Sequence, residues 1–284
     1  MRLIVISGRS GSGKSTALHQ LEDEAFYCID NLPATLLPAL VERALAENFS
    51  QAGLAVCIDA RNAHSDLLHF DSMLAELPDE VSVDIVFLDA EDTSLIKRFS
   101  ETRRRHPLSD DDTPLAEAIA RERDMLEPIA SSASLLIDTS QMTIYELRSD
   151  IRERLLGSRA GDISILFQSF GFKRGLPSDA DLVYDLRILP NPHWQKDLRL
   201  KNGRDPEVID FLEQQAITEQ LFTDISGFLE TWLPHYRDNN RSYITIALGC
   251  TGGQHRSVYL AERLYQHFHR EYPEVNIRHR ELQR

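Results

Sequence analysis

Cysteine is scarce: Cys28, Cys57 and Cys250 are the only three in 284 residues. Three thiols exclude a disulfide framework, and no metal-ligand spacing joins them. Long apolar runs are missing too, and none approaches the roughly 18 residues that a bilayer crossing requires. The apolar stretch at residues 3–6 gives way at once to polar residues and glycines, too short for the core of a secretory signal. With 13 glycines and 12 prolines, the chain is neither collagen-like nor of low complexity. Positive charge is in deficit, with 31 Lys and Arg against 45 Asp and Glu and a formal net of −14. That balance argues against a protein coated in basic surface. The expectation is a soluble, cytoplasmic protein with no membrane partner.

What is present is enough apolar sequence, 42%, for a sizeable core. At about 100–150 residues per domain, the length predicts two domains. Charge divides unevenly between them. Residues 1–154 hold 15 basic and 28 acidic side chains, whereas residues 155–284 hold 16 and 17 and six of the ten histidines. From Arg241 onward there are seven basic and four acidic groups. A polyanion that binds this chain is therefore expected on the second half.

Apolar runs alternate with helical patterns through the first half. Residues 3–7, 26–30, 54–59, 84–89 and 135–138 read as strands, and continuous apolar runs such as 84–89 suit a sheet covered on both faces. Helices are expected from the glycine loop to residue 24, over 36–47 and over 143–156, where Thr143 with Glu146 fits a capping box. This order predicts an α/β domain with a mainly parallel sheet over residues 1–156. The polar stretch 157–162 reads as the boundary, and residues 162–284 as a second α/β domain. There, strands are expected at 163–169, 182–185 and 243–248, and helices over 207–232 and 257–268.

Gly8, Arg9, Ser10, Gly11, Ser12, Gly13, Lys14 and Ser15 match the G-x-x-x-x-G-K-[ST] phosphate loop, directly between a predicted strand and a predicted helix. The glycines let backbone N–H groups curl around a phosphate, and the helix N-terminus adds to the attraction. Lys14 is expected at the β- and γ-phosphates of a nucleotide, and Ser15 on Mg²⁺. Asp89, ending its strand, is the leading second Mg²⁺ ligand; Asp59 ends another strand and competes for that role. Each also fits an ordinary helix or turn cap. Beyond Asp89, Arg103, Arg104 and Arg105 suit either a lid over transferred phosphate or a solvated helix end. Asp110, Asp111 and Asp112 suit either a partner for that cluster or a cap for the next helix. An alternative reading is a small-molecule kinase built on Lys14, Asp89 and that lid, with an acceptor near Asp30.

The second half repeats the strand–glycine loop–helix pattern at residues 243–257, which suits an anion at the helix start, with Arg256 as a bidentate phosphate contact. Cys250 and Arg256 also have the C-x5-R spacing of cysteine-dependent phosphatases, although no general acid accompanies them. His193, beside Pro192 and Trp194, suits either a ligand contact or a loop histidine packed on Trp194.

Taken together, these motifs resemble the RapZ/YvcJ family, bacterial RNase adapter proteins also described as P-loop nucleotide-binding proteins. The likeness runs through residues 7–15, 26–33, 59–62, 87–90, 103–107, 169–173, 189–194, 239–243 and 249–257, nearly the whole chain. It implies GTP and ATP binding with at most weak hydrolysis, and a guanine-nucleotide site at Asp59, Ala60, Arg61 and Asn62. It implies a homotetramer that presents a small regulatory RNA to an RNase E-like endoribonuclease and so controls glucosamine-6-phosphate synthesis. It also implies contact with a two-component sensor–regulator pair. The sugar phosphate is then expected at Thr251, Gly252, Gly253, His255 and Arg256, with His193 and Asn239 nearby. The enteric-type protein ends in a dense basic cluster, whereas this chain ends with Arg278, Arg280 and Arg284 interrupted by Glu281. RNA contacts are expected at Lys173, Arg241, Arg270, Arg278, Arg280 and Arg284.

Overall fold

The computed structural model describes residues 1–47, 51–110, 112–156, 163–239, 241, 243–272 and 274–282. The chain forms two compact units, Met1–Arg152 and Glu153–Arg284. The polar stretch 157–162 read as the boundary lies outside the described residues.

In the first unit, the chain runs β1 (Arg2–Gly8), α1 (Lys14–Asp23), β2 (Tyr27–Ile29), α2 (Leu37–Ala46), β3 (Leu54–Cys57), α3 (His64–Leu68) and α4 (Phe70–Ala75). It continues through β4 (Ser82–Asp89), α5 (Asp92–Thr102), α6 (Leu115–Ser131), β5 (Leu135–Asp138) and α7 (Ile144–Ile151). The strands form one parallel sheet in the order β2-β3-β1-β4-β5. Helical crossovers cover both faces, so residues 3–6 of β1 and all of β3 are apolar, and both strands are buried along almost their whole length. Leu3, Val5, Val56 and Phe87 meet Val41, Phe70, Leu126 and Ile129 from the helices in one core. Thr143 accepts a hydrogen bond from the Glu146 N–H, and the Glu146 carboxylate accepts one from the Thr143 N–H at 2.6 Å; the expected capping box starts α7.

The second unit contains β6 (Ser164–Gly171), β7 (Leu182–Asp185), α8 (Pro206–Glu213), α9 (Ala216–Asp238), β8 (Tyr243–Cys250), α10 (Arg256–Phe268) and β9 (Val275–His279). Its sheet is also parallel, in the order β7-β8-β6-β9. Phe167, Ile246, Leu248, Leu229, Leu260 and Phe268 close its core. The helix expected over 207–232 is two helices, because the backbone at Gln215 is extended (φ −96°, ψ 111°) and α9 starts afresh after it. The edge strand β9 was not expected from sequence.

Parallel order aligns the C-terminal ends of the strands along one edge of each sheet, where ligands of open α/β sheets bind. In the first unit that edge carries Gly8 and Asp89; in the second it carries Gly171 and Cys250. Phe167, fully buried in the second core, tests that packing. Phe167→Ala is expected to cost about 3–5 kcal/mol, read as a lower urea midpoint for the second unit.

Candidate functional site

The phosphate loop owes its curl to its own backbone and to glycine. Gly8 has φ +139°, and a Cβ there would overlap the Leu88 carbonyl oxygen, so only glycine lets the loop leave β1 this close to β4. The Ser12 N–H donates to the Arg9 carbonyl at 3.0 Å, and the first α1 bond runs from the Ala17 N–H to the Gly13 carbonyl. The N–H groups of Gly11, Gly13, Lys14, Ser15 and Thr16 stay outside these bonds, and three of them open a helix. The Lys14 ammonium donates to the Gly8 and Arg9 carbonyls at 2.7 and 3.2 Å. Ser15 is exposed. This donor set fits the polyphosphate of GTP or ATP, with Ser15 available to Mg²⁺.

Arg9 does not serve as a phosphate contact. Its guanidinium is buried, donating from Nε to Asp89 Oδ1 at 2.6 Å, from Nη1 to Asp92 at 2.5 Å and from Nη2 to the Ala90 carbonyl. It fastens the loop to the end of β4. Asp89 Oδ1 also accepts from the Ala90 N–H at 2.8 Å, so only Oδ2 stays outside hydrogen bonds among the described residues and can face a metal ion.

Asp59, the competing carboxylate, is committed elsewhere. Arg61 grips it with Nε at 3.0 Å to both oxygens and Nη2 at 2.7 Å, and Asp30 stands 3.6 Å from the same guanidinium. Burial, the largest influence, pushes the Asp59 carboxyl up, but the Arg61 hydrogen bonds and the Lys14 charge hold it below its usual range. Asn62 accepts from the Ala34 N–H at 2.7 Å and donates to the Leu32 and Asp59 carbonyls, and Ala60 is buried. Of these four residues, Arg61 alone presents a half-exposed polar side chain.

Sequence reasoning missed the group that ties this edge together. Glu122 of α6 is fully buried and accepts from the Ser10 N–H at 2.9 Å and the Ser10 hydroxyl at 2.7 Å. His106 Nε2 lies 3.0 Å from Oε2, the oxygen that also takes the Ser10 N–H. Glu122 stands among Ile119, Leu126 and Ile129 at helical spacing, and a carboxylate on an apolar stripe was the available signal. Arg98 was also missed; its Nη1 donates to the Gly11 carbonyl at 2.9 Å. Arg103, Arg104 and Arg105 are exposed on the turn that ends in His106. Asp110 accepts from the Asp112 and Thr113 N–H groups and so caps the turn before α6, while Asp111 lies outside the described residues.

The second site follows β8. Arg256 is 4% exposed, and its Nη1 donates to the carbonyls of Arg187 and Leu189 at 3.1 and 2.9 Å. Its Nη2 lies 3.4 Å from the Thr251 hydroxyl, and its buried Nε has no partner among the described residues. An acceptor oxygen of a phosphate would satisfy that donor. His193 and His255 approach to 6.2 Å between ring centroids, so His193, Thr251, His255 and Arg256 do converge. His255 is buried with Nε2 on the Leu198 carbonyl; burial above all lowers its pKa, which keeps the ring neutral at pH 7. Trp194 is 80% exposed and does not pack away as a core residue. Gly253 has φ +72°, and a Cβ there would collide with Glu281 and the Gly171 backbone. Cys250 is 2% exposed, lies 3.2 Å from the Ser257 hydroxyl and accepts the Gly253 N–H at 3.2 Å. Burial would raise its pKa, but those hydrogen bonds and Arg256 lower it on balance. Its sulfur is buried and braces the loop from behind.

Two groups of expected residues come apart. Asn239 precedes β8 and Thr251 follows it, so the eight-residue strand separates them by roughly 25 Å. Asn239 therefore stands outside this pocket, donating to the His235 carbonyl. The RNA candidates also divide. Lys173 and Arg278 lie toward the pocket edge, the Lys173 N–H donating to the Thr251 carbonyl at 3.3 Å. Arg241 and Arg270 lie toward the opposite edge, and Arg241 is ion-paired with Asp181. Arg280 is buried, donating to the Arg174 and Gly175 carbonyls at 3.0 and 2.7 Å, so its guanidinium is not available to a backbone phosphate. Arg284 lies outside the described residues.

Two parallel α/β units, one with a phosphate loop and one with an arginine-backed glycine loop, define a two-domain P-loop protein. The RapZ-like N-terminal domain family matches residues 1–159, and the RapZ C-terminal domain family matches residues 163–283. The chain belongs to the RapZ family. It is 54% identical over 284 residues to a nucleotide-binding protein of Hahella chejuensis, covering 99% of each chain. It is equally identical to a nucleotide-binding protein of Pseudomonas putida, covering 99% of this chain and 100% of that one. Among solved structures, a sugar kinase from Janibacter aligns with 55% of this chain and 94% of its own, at 20% identity and a TM-score of 0.39. No helix among the described residues is long and apolar enough to cross a membrane.

Glu122 supplies a pH test. Burial pushes its carboxyl up, but hydrogen bonds from His106 and Ser10 and the charge of Lys14 outweigh that and hold it below the ordinary 4.5. Its charged form therefore contributes stability above pH 4.5, and that contribution is lost as the pH falls through the lower folded value. Glu122→Gln is expected to be less stable than wild type at pH 7 by about 1–3 kcal/mol. The gap should narrow below pH 4.5 in urea titrations across a pH series.

Proposed function

We propose that this chain is a nucleotide-binding regulator that carries a small regulatory RNA on its second domain and reads a phosphorylated metabolite there. The observation that carries this reading is the pair of anion cradles: N–H groups around Lys14 in one unit, and the buried Nε of Arg256 in the other, that have no partner among the described residues. The relatives named as nucleotide-binding proteins support the first half of it.

In the first unit, the N–H groups of Gly11 and of residues 13–16 wrap the polyphosphate of GTP or ATP, and Lys14 turns from the Gly8 and Arg9 carbonyls to the terminal phosphates. Ser15 and the outer oxygen of Asp89 hold Mg²⁺, which would neutralise phosphate charge when bound. Arg9 and Glu122 keep the loop in place. The kinase alternative is weaker, because Asp59 is gripped by Arg61 and one oxygen of Asp89 by Arg9, which commits both strand-end carboxylates to arginine.

In the second unit, Thr251, Gly252, Gly253, His255 and Arg256 take the phosphate of glucosamine-6-phosphate, with His193 at the mouth. RNA backbone approaches from the same edge through Lys173 and Arg278. A homotetramer multiplies this small basic area through effective concentration. The RNA is then presented to an RNase E-like endoribonuclease, and a two-component sensor–regulator pair is a further partner.

Lys14→Ala is expected to weaken Mg·ATP and Mg·GTP binding by about tenfold to a hundredfold, measured by calorimetry, with an unchanged circular dichroism spectrum. Arg256→Lys keeps the charge but loses the fork, and should weaken glucosamine-6-phosphate binding about tenfold without affecting nucleotide affinity. RNA affinity measured across a salt series should fall steeply. Lys173→Ala and Arg278→Ala should each reduce the salt slope by about 0.7, the share of one contact to a single strand. Arg241→Ala and Arg270→Ala should not. RNA binding absent at every salt concentration overturns the adapter reading.

A further inference from the structure

His279, Arg280 and Glu281 carry polar or charged side chains, yet all three are buried. Burying such groups is costly unless each finds partners, and here each finds them on a different element. His279 places Nδ1 2.8 Å from the Ser169 hydroxyl of β6 and Nε2 3.1 Å from Glu262 of α10. The Arg280 N–H donates to the Ser169 carbonyl at 3.0 Å, and its guanidinium lies 5.6 Å from the centre of the Phe170 ring. Glu281 Oε1 accepts from Arg280 Nε at 3.3 Å, and Oε2 stands 2.9 Å from Arg174 Nε on the turn after β6. The tail is thus fastened to β6, to the turn that follows it and to α10.

What this fastening holds is the glycine loop after β8. Glycine loses more conformational freedom than any other residue when it is fixed. A cradle built on Gly252 and Gly253 therefore binds an anion well when packing behind it has already fixed its shape. The two glycines differ in their surroundings. A Cβ on Gly252 would meet nothing within 4 Å, so that side of the loop is open. Gly253, at φ +72°, is enclosed: the Gly171 nitrogen, the Phe170 carbonyl carbon and Glu281 Cγ stand where its side chain would be. Its N–H is drawn to the Cys250 sulfur at 3.2 Å. Gly171 and Phe170 contribute backbone to this enclosure, and Cys250 ends the strand that carries the loop. Glu281 contributes a side chain from the tail.

We infer that Glu281 is a positioning residue of the metabolite loop: its side chain, oriented by Arg174, holds Gly253 in the left-handed conformation and pre-sets the cradle beside Arg256. This rests on the reading of that loop as a metabolite site, and gives the buried end of the tail a part in metabolite affinity.

Two readouts on the full chain test it. The first is calorimetric binding of glucosamine-6-phosphate. Glu281→Ala empties the space behind Gly253, whereas Glu281→Gln keeps the side-chain length and an acceptor for Arg280. Glu281→Ala is expected to weaken binding about tenfold, and Glu281→Gln to restore most of that loss. The second is the rate at which iodoacetamide alkylates Cys250 in the absence of metabolite, mapped by peptide mass spectrometry. Cys57, buried in the first unit, is the internal reference. A loosened Gly253 releases the sulfur, so Glu281→Ala should speed Cys250 alkylation about tenfold relative to Cys57. Arg174→Gln, at a half-exposed position, frees the Glu281 carboxylate without emptying the space. It should move both readouts the same way by about threefold, and it keeps the test decisive where Glu281→Ala does not fold. A lower urea midpoint with metabolite affinity or Cys250 reactivity unchanged marks a merely structural role and overturns the inference. Wild type that does not bind glucosamine-6-phosphate overturns the metabolite reading instead, and the alkylation rates still decide whether Glu281 holds the loop.

Discussion

The carboxylate of Glu122 has no access to solvent, yet it receives two hydrogen bonds from Ser10 and stands against His106. Ser10 is in the middle of the phosphate loop, and His106 ends the arginine turn. Leaving a buried charge without partners costs about 3–5 kcal/mol, a large part of the roughly 5–15 kcal/mol that holds a domain folded. The three groups are therefore committed to one arrangement. The loop's curl, the position of α6 and the course of residues 103–109 follow from it. Arg9 works in the same sense from the other side, spending its guanidinium on Asp89, Asp92 and the Ala90 carbonyl. The loop is clamped at two adjacent residues by buried charge, which leaves the later N–H groups free for an anion.

The second unit reaches a comparable cradle by other means. Its glycine loop is held from behind by a sulfur, a carbonyl pair and a tail. Cys250 receives the Gly253 N–H, Arg256 is anchored on the Arg187 and Leu189 carbonyls, and Glu281 packs where a side chain at Gly253 would go. Glu281 is itself paired with Arg174 at 2.9 Å. The C-terminal segment is therefore part of the loop's foundation, which accounts for the burial of Arg280: a residue next to the brace shares its burial.

These arrangements explain what was legible in the sequence. The parallel strands of the first half were readable because two-sided burial makes residues 85–88 apolar without interruption. The phosphate loop was readable because its donors are backbone groups that demand glycine at set spacing. β9 was not, since an edge strand with only Val275 and Ile277 as apolar residues offers too short an alternation. The side-chain roles were the least legible. Arg9 lies within the motif but faces Asp89, and Asp59 and Asn62 serve the fold around residues 32–34 and Arg61. Sequence gives the residue type at a strand end, whereas the partner comes from another element, up to 112 positions away in the case of Ser10 and Glu122.

Strand direction also constrains how a chain with net charge −14 can hold RNA. Cations counted along the last forty-odd residues form one cluster in sequence, but parallel strands send them to opposite edges of the sheet. Arg241 and Arg270 lie at the edge where strands begin, and Arg278 and Lys173 toward the edge where they end. Of the expected contacts, one edge of one chain thus offers Lys173 and Arg278 among the described residues, and each backbone contact contributes only a modest, salt-sensitive increment. Tight RNA binding by such a surface requires several copies acting together, or base stacking by an exposed aromatic. Trp194 stands 80% exposed near that edge, two residues after Pro192 and beside His193. A stacked base is worth about 1–3 kcal/mol on an aromatic ring, comparable with several phosphate contacts at physiological salt. An acidic protein of this design would therefore gain RNA affinity from assembly and stacking rather than from charge density.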